Sequence, residues 1–140
     1  MRQILLFAGL VASLALLSGC ALSKAKADTA EDMADKAAYH KISGEEAYEM
    51  MASQEVVVVD VRTRGEYDAG HIENAVLVPN ESIGNEMPEA LPDKEATLLI
   101  YCRSGRRSKE AAQKLLSLGY QSVYDFGGVI DWPYELVKEG

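Results

Sequence analysis

Between Tyr101 and Lys109 the chain reads YCRSGRRSK, a single cysteine followed by four cations and a glycine. Arg103, Arg106, Arg107 and Lys109 carry the charge, and no acid falls inside the stretch. A thiol works as a nucleophile only as the thiolate, which nearby positive charge and inward-pointing amides favour. Gly105 permits the backbone angles of a tight curl, so the N–H groups of the loop turn toward the sulfur. A helix starting directly after the curl adds its positive end. A buried inert cysteine needs no such cradle. Cys102 is therefore the candidate nucleophile, and Arg103, Ser104, Gly105, Arg106 and Arg107 form the candidate anion-binding loop. Since Arg106 and Arg107 have no acid nearby in sequence, their charge is expected to serve an anionic substrate and the thiolate.

The remaining chemistry-bearing residues are few. Two cysteines and two histidines, His40 and His71, show no ligand spacing, so no metal and no cofactor are implied. Cys20 closes the stretch LSGC, behind a short basic start (Arg2) and the apolar run from Ile4 to Leu17. The run has the length of a signal-peptide core and falls short of the roughly 20 residues of a stable membrane span. Leucine, two small residues and cysteine resemble a bacterial lipobox, whose cysteine is acylated after the preceding peptide is removed. Cys20 is the expected lipidation site, and acyl chains there hold a protein on a membrane. Ala21 then favours the outer membrane, facing the periplasm, in a Gram-negative source. In a Gram-positive source the same anchor means the outer face of the only membrane.

Residues 1–19 are thus a signal peptide. Residues 20–38, rich in Ala, Lys and Asp, carry almost no large apolar side chain and read as a tether. What remains, 39–140, is long enough for one domain with a modest core. The whole chain carries a formal charge of −8, from 22 acids against 14 Lys and Arg. That balance excludes a nucleic-acid partner, because a phosphate backbone needs a basic face.

The elements that must hold Cys102 are visible as periodicity. Glu55–Val61, Ala75–Pro79, Ala96–Cys102 and Ser122–Phe126 are runs of the kind expected for strands, the first and third buried on both faces. A short extended piece precedes Ser43, which with Glu46 forms a capping box opening a helix. From Arg106 to Leu118 the apolar positions Ala111, Ala112, Leu115, Leu116 and Leu118 make a stripe, and Gly119 is placed to end the helix. Beyond Gly127-Gly128 a helical segment is expected to the C-terminus. Alternating strands and helices imply an α/β fold: a mainly parallel sheet of about five strands with helices on both faces. Cys102 then sits at the carboxyl end of a strand, where such sheets bind ligands.

With these residues placed, the chain resembles the single-domain rhodanese family. CRSGRRS matches its active-site loop in Cys102, Gly105, Arg107 and Ser108. Val58–Pro79 matches its N-terminal signature in Asp60, Arg62, Glu66, Tyr67, Gly70, His71, Ile72, Ala75 and Pro79. Asp125–Pro133 matches its C-terminal signature through Gly127, Gly128 and Trp132. Glu73-Asn74 departs from the Pro-Gly of many members, at a surface turn. The resemblance implies a sulfurtransferase in which Cys102 takes the outer sulfur of an anionic donor such as thiosulfate, holds it as a persulfide, and passes it to cyanide or a thiol. Asp60, Arg62 and Glu66 are then expected to form one supporting charge network at a strand end and its following turn. His71 belongs to a turn motif, and Trp132 is expected to pack.

Two other readings compete. A phosphatase or arsenate reductase of related fold has five residues between Cys and Arg, whereas four separate Cys102 from Arg107. The other is a catalytically idle module kept for binding, although such modules often lack the cysteine.

Overall fold

The structure, a computed structural model, describes residues 39–139. The expected signal peptide, the expected lipidation site Cys20 and the expected tether lie outside the described residues.

The hydrophobic runs assemble as one sheet. Its strands are β1 (Tyr39–Lys41), β2 (Val57–Asp60), β3 (Val76–Leu77), β4 (Thr97–Cys102) and β5 (Ser122–Gly128), in the order β1-β5-β4-β2-β3. Every pairing is parallel, so all the carboxyl ends lie along one edge. Three helices cover the faces: α1 (Gly44–Ser53), α2 (Arg64–Ala69) and α3 (Arg106–Ser117).

Alternation along the strands divides the core into two layers. Leu98, Ile100 and Cys102 of β4 join Val59, Val61 and Val123 against Ala111, Ala112 and Leu115 of α3. Leu99 and Tyr101 point the other way, with Val58 and Phe126, toward Ala47 of α1 and Tyr67 of α2. Burying each aliphatic side chain of this kind contributes about 1.5–3 kcal/mol, which is why β4, buried on both faces, is a continuous apolar run.

α1 begins as its sequence predicts. Ser43 Oγ accepts from the Glu46 N–H at 3.1 Å, and the Glu46 carboxylate accepts from the Ser43 N–H at 2.7 Å. The same device starts α2, where Thr63 and Glu66 cap each other. That helix was expected only as a turn. The Thr63–Glu66 spacing carried the signal, but six residues are too few to show a periodic stripe.

The segment after β5 departs from the expected helix. A single 3-10 turn spans Val129–Asp131, and the chain then runs extended, so that Val137 pairs with His71 in an isolated antiparallel bridge. Both bonds of that bridge are short, 2.9 Å from the His71 N–H and 2.8 Å from the Val137 N–H. Pro133, which has no N–H to give to a helix, falls where the turn stops.

Candidate active site

β4 delivers Cys102 to the carboxyl edge of the sheet, on the α3 side, with 1% of its surface exposed. The chain then curls. Gly105 takes a left-handed conformation (φ +100) and stands as the N-cap of α3, with no side chain capping that helix end. The amide left over is used by the sulfur: the Gly105 N–H donates to Cys102 Sγ at 3.0 Å. An uncapped helix end that meets a thiolate is an anion site.

The loop fits because β5 leaves room beneath it. Between Ile100 and Tyr101 the register to β5 slips by one residue, which brings Gly127 opposite Tyr101 and Gly128 opposite Cys102. A Cβ on Gly128 would lie 2.1 Å from the Arg103 carbonyl oxygen, so only glycine allows the loop backbone to rest there. The Arg103 carbonyl also accepts from the Ile130 N–H at 3.3 Å. Ser108, fully buried in the first turn of α3, places its hydroxyl 3.0 Å from the Gly105 carbonyl and 3.3 Å from that of Gly127.

Burial pushes the Cys102 thiol up, but the amides of Ser108, Gly105 and Ser104, with the Ser108 hydroxyl, outweigh it and hold the thiol below its ordinary value. Amide dipoles, rather than the run of cations, are the chief stabilisers of the thiolate. In the sequence Ser108 stands out only as a match to the loop motif. Its signal was a hydroxyl on the buried stripe of a helix, where an apolar residue would otherwise stand.

The arginines have acids near them in space that their places in the sequence do not announce. Arg107 meets Glu66: its two terminal nitrogens donate to the two carboxylate oxygens, each at 2.8 Å. The Arg107 guanidinium, together with the Thr63 N–H and hydroxyl, overcomes the opposing effect of burial and lowers Glu66 to about 2. This pair joins α2 to α3 over the edge of the sheet. Arg106, with 79% of its side chain exposed, pairs with Glu110 one turn along at 3.6 Å. Arg103 and Ser104 are exposed at the mouth of the loop.

Asp60 and Arg62 lie beneath the site, in the α2 layer, and their network excludes Glu66. Arg62 clamps both Asp60 oxygens, the closest contact being 2.6 Å, and donates a further bond to the Gly70 carbonyl at 2.7 Å. Tyr101, the neighbour of Cys102, donates its hydroxyl to Asp60 at 2.7 Å and accepts from the Ile72 N–H. Burial and the Asp60 charge keep the Tyr101 hydroxyl protonated far above its ordinary range. Thus the expected single network is two: one fixes the floor under β4, the other closes the rim.

His71 is buried, stacked on Tyr67 at 3.7 Å, with Nδ1 2.9 Å from the Tyr67 carbonyl oxygen. Trp132 packs against Phe126 and Tyr134. It also walls a cleft of about 580 Å³ that includes Tyr48, Met51, Ile72 and Tyr134. This cleft lies on the α1 side of the sheet, and Cys102 does not line it. Among the described residues no group of three His, Cys, Asp or Glu side chains converges on a point that could hold a metal.

The chain is similar to known proteins. The family profile of the rhodanese-like domain matches residues 43–133. The tRNA uridine(34) hydroxylase of Yersinia pestis is 30% identical over 106 residues, which cover 72% of this chain and 30% of the hydroxylase. The chain therefore spans under a third of the length of that relative. Among solved structures, a rhodanese-like domain protein of Staphylococcus aureus is 30% identical with a TM-score of 0.62, over 72% of this chain and 99% of that one. A human single-domain sulfurtransferase is 28% identical with a TM-score of 0.59, over 66% and 93%.

Proposed function

The chain belongs to the rhodanese-like domain family, and on that premise we propose that it is a sulfurtransferase working through a persulfide on Cys102. The observation that carries this is the Gly105 N–H on Cys102 Sγ at 3.0 Å, at an uncapped helix end. A nucleophilic sulfur with amides around it is equipped to hold a second, anionic sulfur in the same place.

With thiosulfate as donor the steps balance without a proton. The Cys102 thiolate attacks the outer sulfur, the S–S bond of the donor breaks, and sulfite departs with the bonding electrons. The persulfide anion takes up the charge that the thiolate held. Cyanide or a thiolate then attacks the outer sulfur and Cys102 leaves as thiolate again. Arg103, Ser104 and Gly105 form the loop that receives the donor, and no cofactor enters. The similarity to part of a tRNA-modifying enzyme brings no RNA substrate into this reading, because a net charge of −8 works against binding a phosphate backbone.

Incubating the full chain with thiosulfate should add the mass of one sulfur atom, roughly 32 Da, at Cys102. Cyanide should remove it as thiocyanate, and Cys102→Ser should do neither. Efficient hydrolysis of a phosphate ester without persulfide formation would replace this reading with the phosphatase one. Persulfide formation also separates the enzyme from an idle binding module.

We place the domain at the cell envelope, held by acyl chains on Cys20 and a tether to residue 38. The support is the apolar run and the LSGC stretch. Wild type should incorporate labelled fatty acid in cells, and Cys20→Ser should abolish it. A wild-type chain left unlabelled and free of the membrane fraction would remove the anchor from the account.

A further inference from the structure

The loop arginines leave a question of charge. Arg107 is clamped by Glu66 through two of its donors, and Arg106 extends into solvent beside Glu110. A further cation, far upstream of the cysteine loop in sequence, is brought against Gly127 by the fold.

Lys41 is the last residue of β1, an edge strand, and pairs in register with Asp125 of β5. Asp125 in turn pairs with Ile100 of β4, two residues before Cys102. Side chains alternate along each strand, and neighbours in register share a face. Lys41 therefore stands on the α3 face, the face of Cys102, at the carboxyl edge. Its position above the loop follows from three contacts in series. The Gly105 N–H is 3.0 Å from Cys102 Sγ. A Cβ on Gly105 would lie 3.6 Å from Gly127 Cα, and a Cβ on Gly127 would lie 3.1 Å from Lys41 Nζ. The ammonium thus lies across Gly127 from the cradle of the sulfur.

Its nearest acid does not use it up. Lys41 Nζ is 3.5 Å from Asp125 Oδ1, and its side chain is 53% exposed. Asp125 is buried, and its oxygens already accept from the Tyr39 hydroxyl at 2.6 Å and the Gly127 N–H at 2.9 Å. Arg107, by contrast, is 16% exposed and clamped at two points. An ammonium has three protons to donate, and this one retains donors that face solvent beside the loop.

We propose that Lys41 binds the anionic end of the sulfur donor, the part that departs as the leaving group when Cys102 takes the outer sulfur. This rests on the sulfurtransferase reading and gives it a preference: Lys41 lowers the KM for an anionic donor and does nothing for an uncharged persulfide. Lys41 and the loop amides divide the labour. The amides of α3 hold the sulfur that stays, and Lys41 holds the group that goes.

The test compares thiosulfate with an uncharged organic persulfide as donors to the full chain, reading loading of Cys102 by mass and steady-state rates with cyanide. Lys41→Met should raise KM for thiosulfate roughly tenfold, the size of one charge-assisted hydrogen bond. It should leave loading by the uncharged donor unchanged, and Lys41→Arg should restore most of the thiosulfate KM. A Lys41 that served only to brace Asp125 would lower loading by both donors alike, and that result, or no change with either, overturns the proposal. If Lys41→Met fails to fold, Lys41→Gln keeps the comparison. Wild type loaded by the uncharged donor alone overturns the anionic preference and spares the sulfurtransferase reading. Wild type loaded by neither sinks both.

Discussion

Two arginine–carboxylate pairs flank the cysteine, and they differ in what surrounds them. Arg62 and Asp60 are sealed under β4, with side-chain exposures of 6% and 0%. Arg107 and Glu66 close the rim of the loop, with exposures of 16% and 30%. The first pair is two residues apart in sequence, the second 41. A buried pair is held together by the cost of leaving either charge alone in a dry interior. A rim pair can exchange its partner for water, so its value lies in position more than in stability. The floor of the site is thus rigid by desolvation, while its rim is joined by a contact that solvent can contest.

The largest break in that comparison is Asp60→Ala. It strands Arg62 and removes the acceptor of the Tyr101 hydroxyl, so unfolding in urea should show a loss of about 3–5 kcal/mol. A loss below about 1 kcal/mol would mean that the Gly70 carbonyl and water satisfy Arg62 alone, and that the two pairs are alike after all.

Glu66→Gln should cost less, about 1 kcal/mol at neutral pH by the same measurement. Acid sharpens the contrast. The folded carboxyl of Glu66, held at about 2, lies below its unfolded value. The contribution of the pair is therefore complete above about pH 4.5 and is lost as pH falls toward 2. Wild type and Glu66→Gln should differ in stability at pH 7 and converge through that window. A gap that persists at pH 2 would assign the effect to the cap of α2, because the Thr63 bonds, not the charge, would then be what Gln fails to copy.

Much of the fold was legible because it is written locally. The Ser43–Glu46 box, the stripe of α3 and the apolar run of β4 each declare themselves within one or two turns of chain, and each appears where the spacing places it. Gly105 was legible for the same reason, since a curl between a strand and a helix needs a left-handed residue. The segment after Gly128 was not. Its extended course depends on a bridge between Val137 and His71, a partner 66 residues away that no local pattern announces. The partner of Arg107 was hidden for the same reason: Glu66 lies 41 residues away and arrives from another layer.

By itself the sequence determined the backbone around Cys102, the strand before it, the curl and the helix after, because these follow from hydrophobic period and glycine. It also determined the family, since three motifs in order require the same framework. Only the tertiary structure decided which charges meet. The order β1-β5-β4-β2-β3 sets Lys41 beside Asp125 and Gly127, and the packing of α2 and α3 over one sheet edge sets Glu66 on Arg107. A charge interacts over a few ångströms of space, and strand order, not distance along the chain, decides which residues come that close.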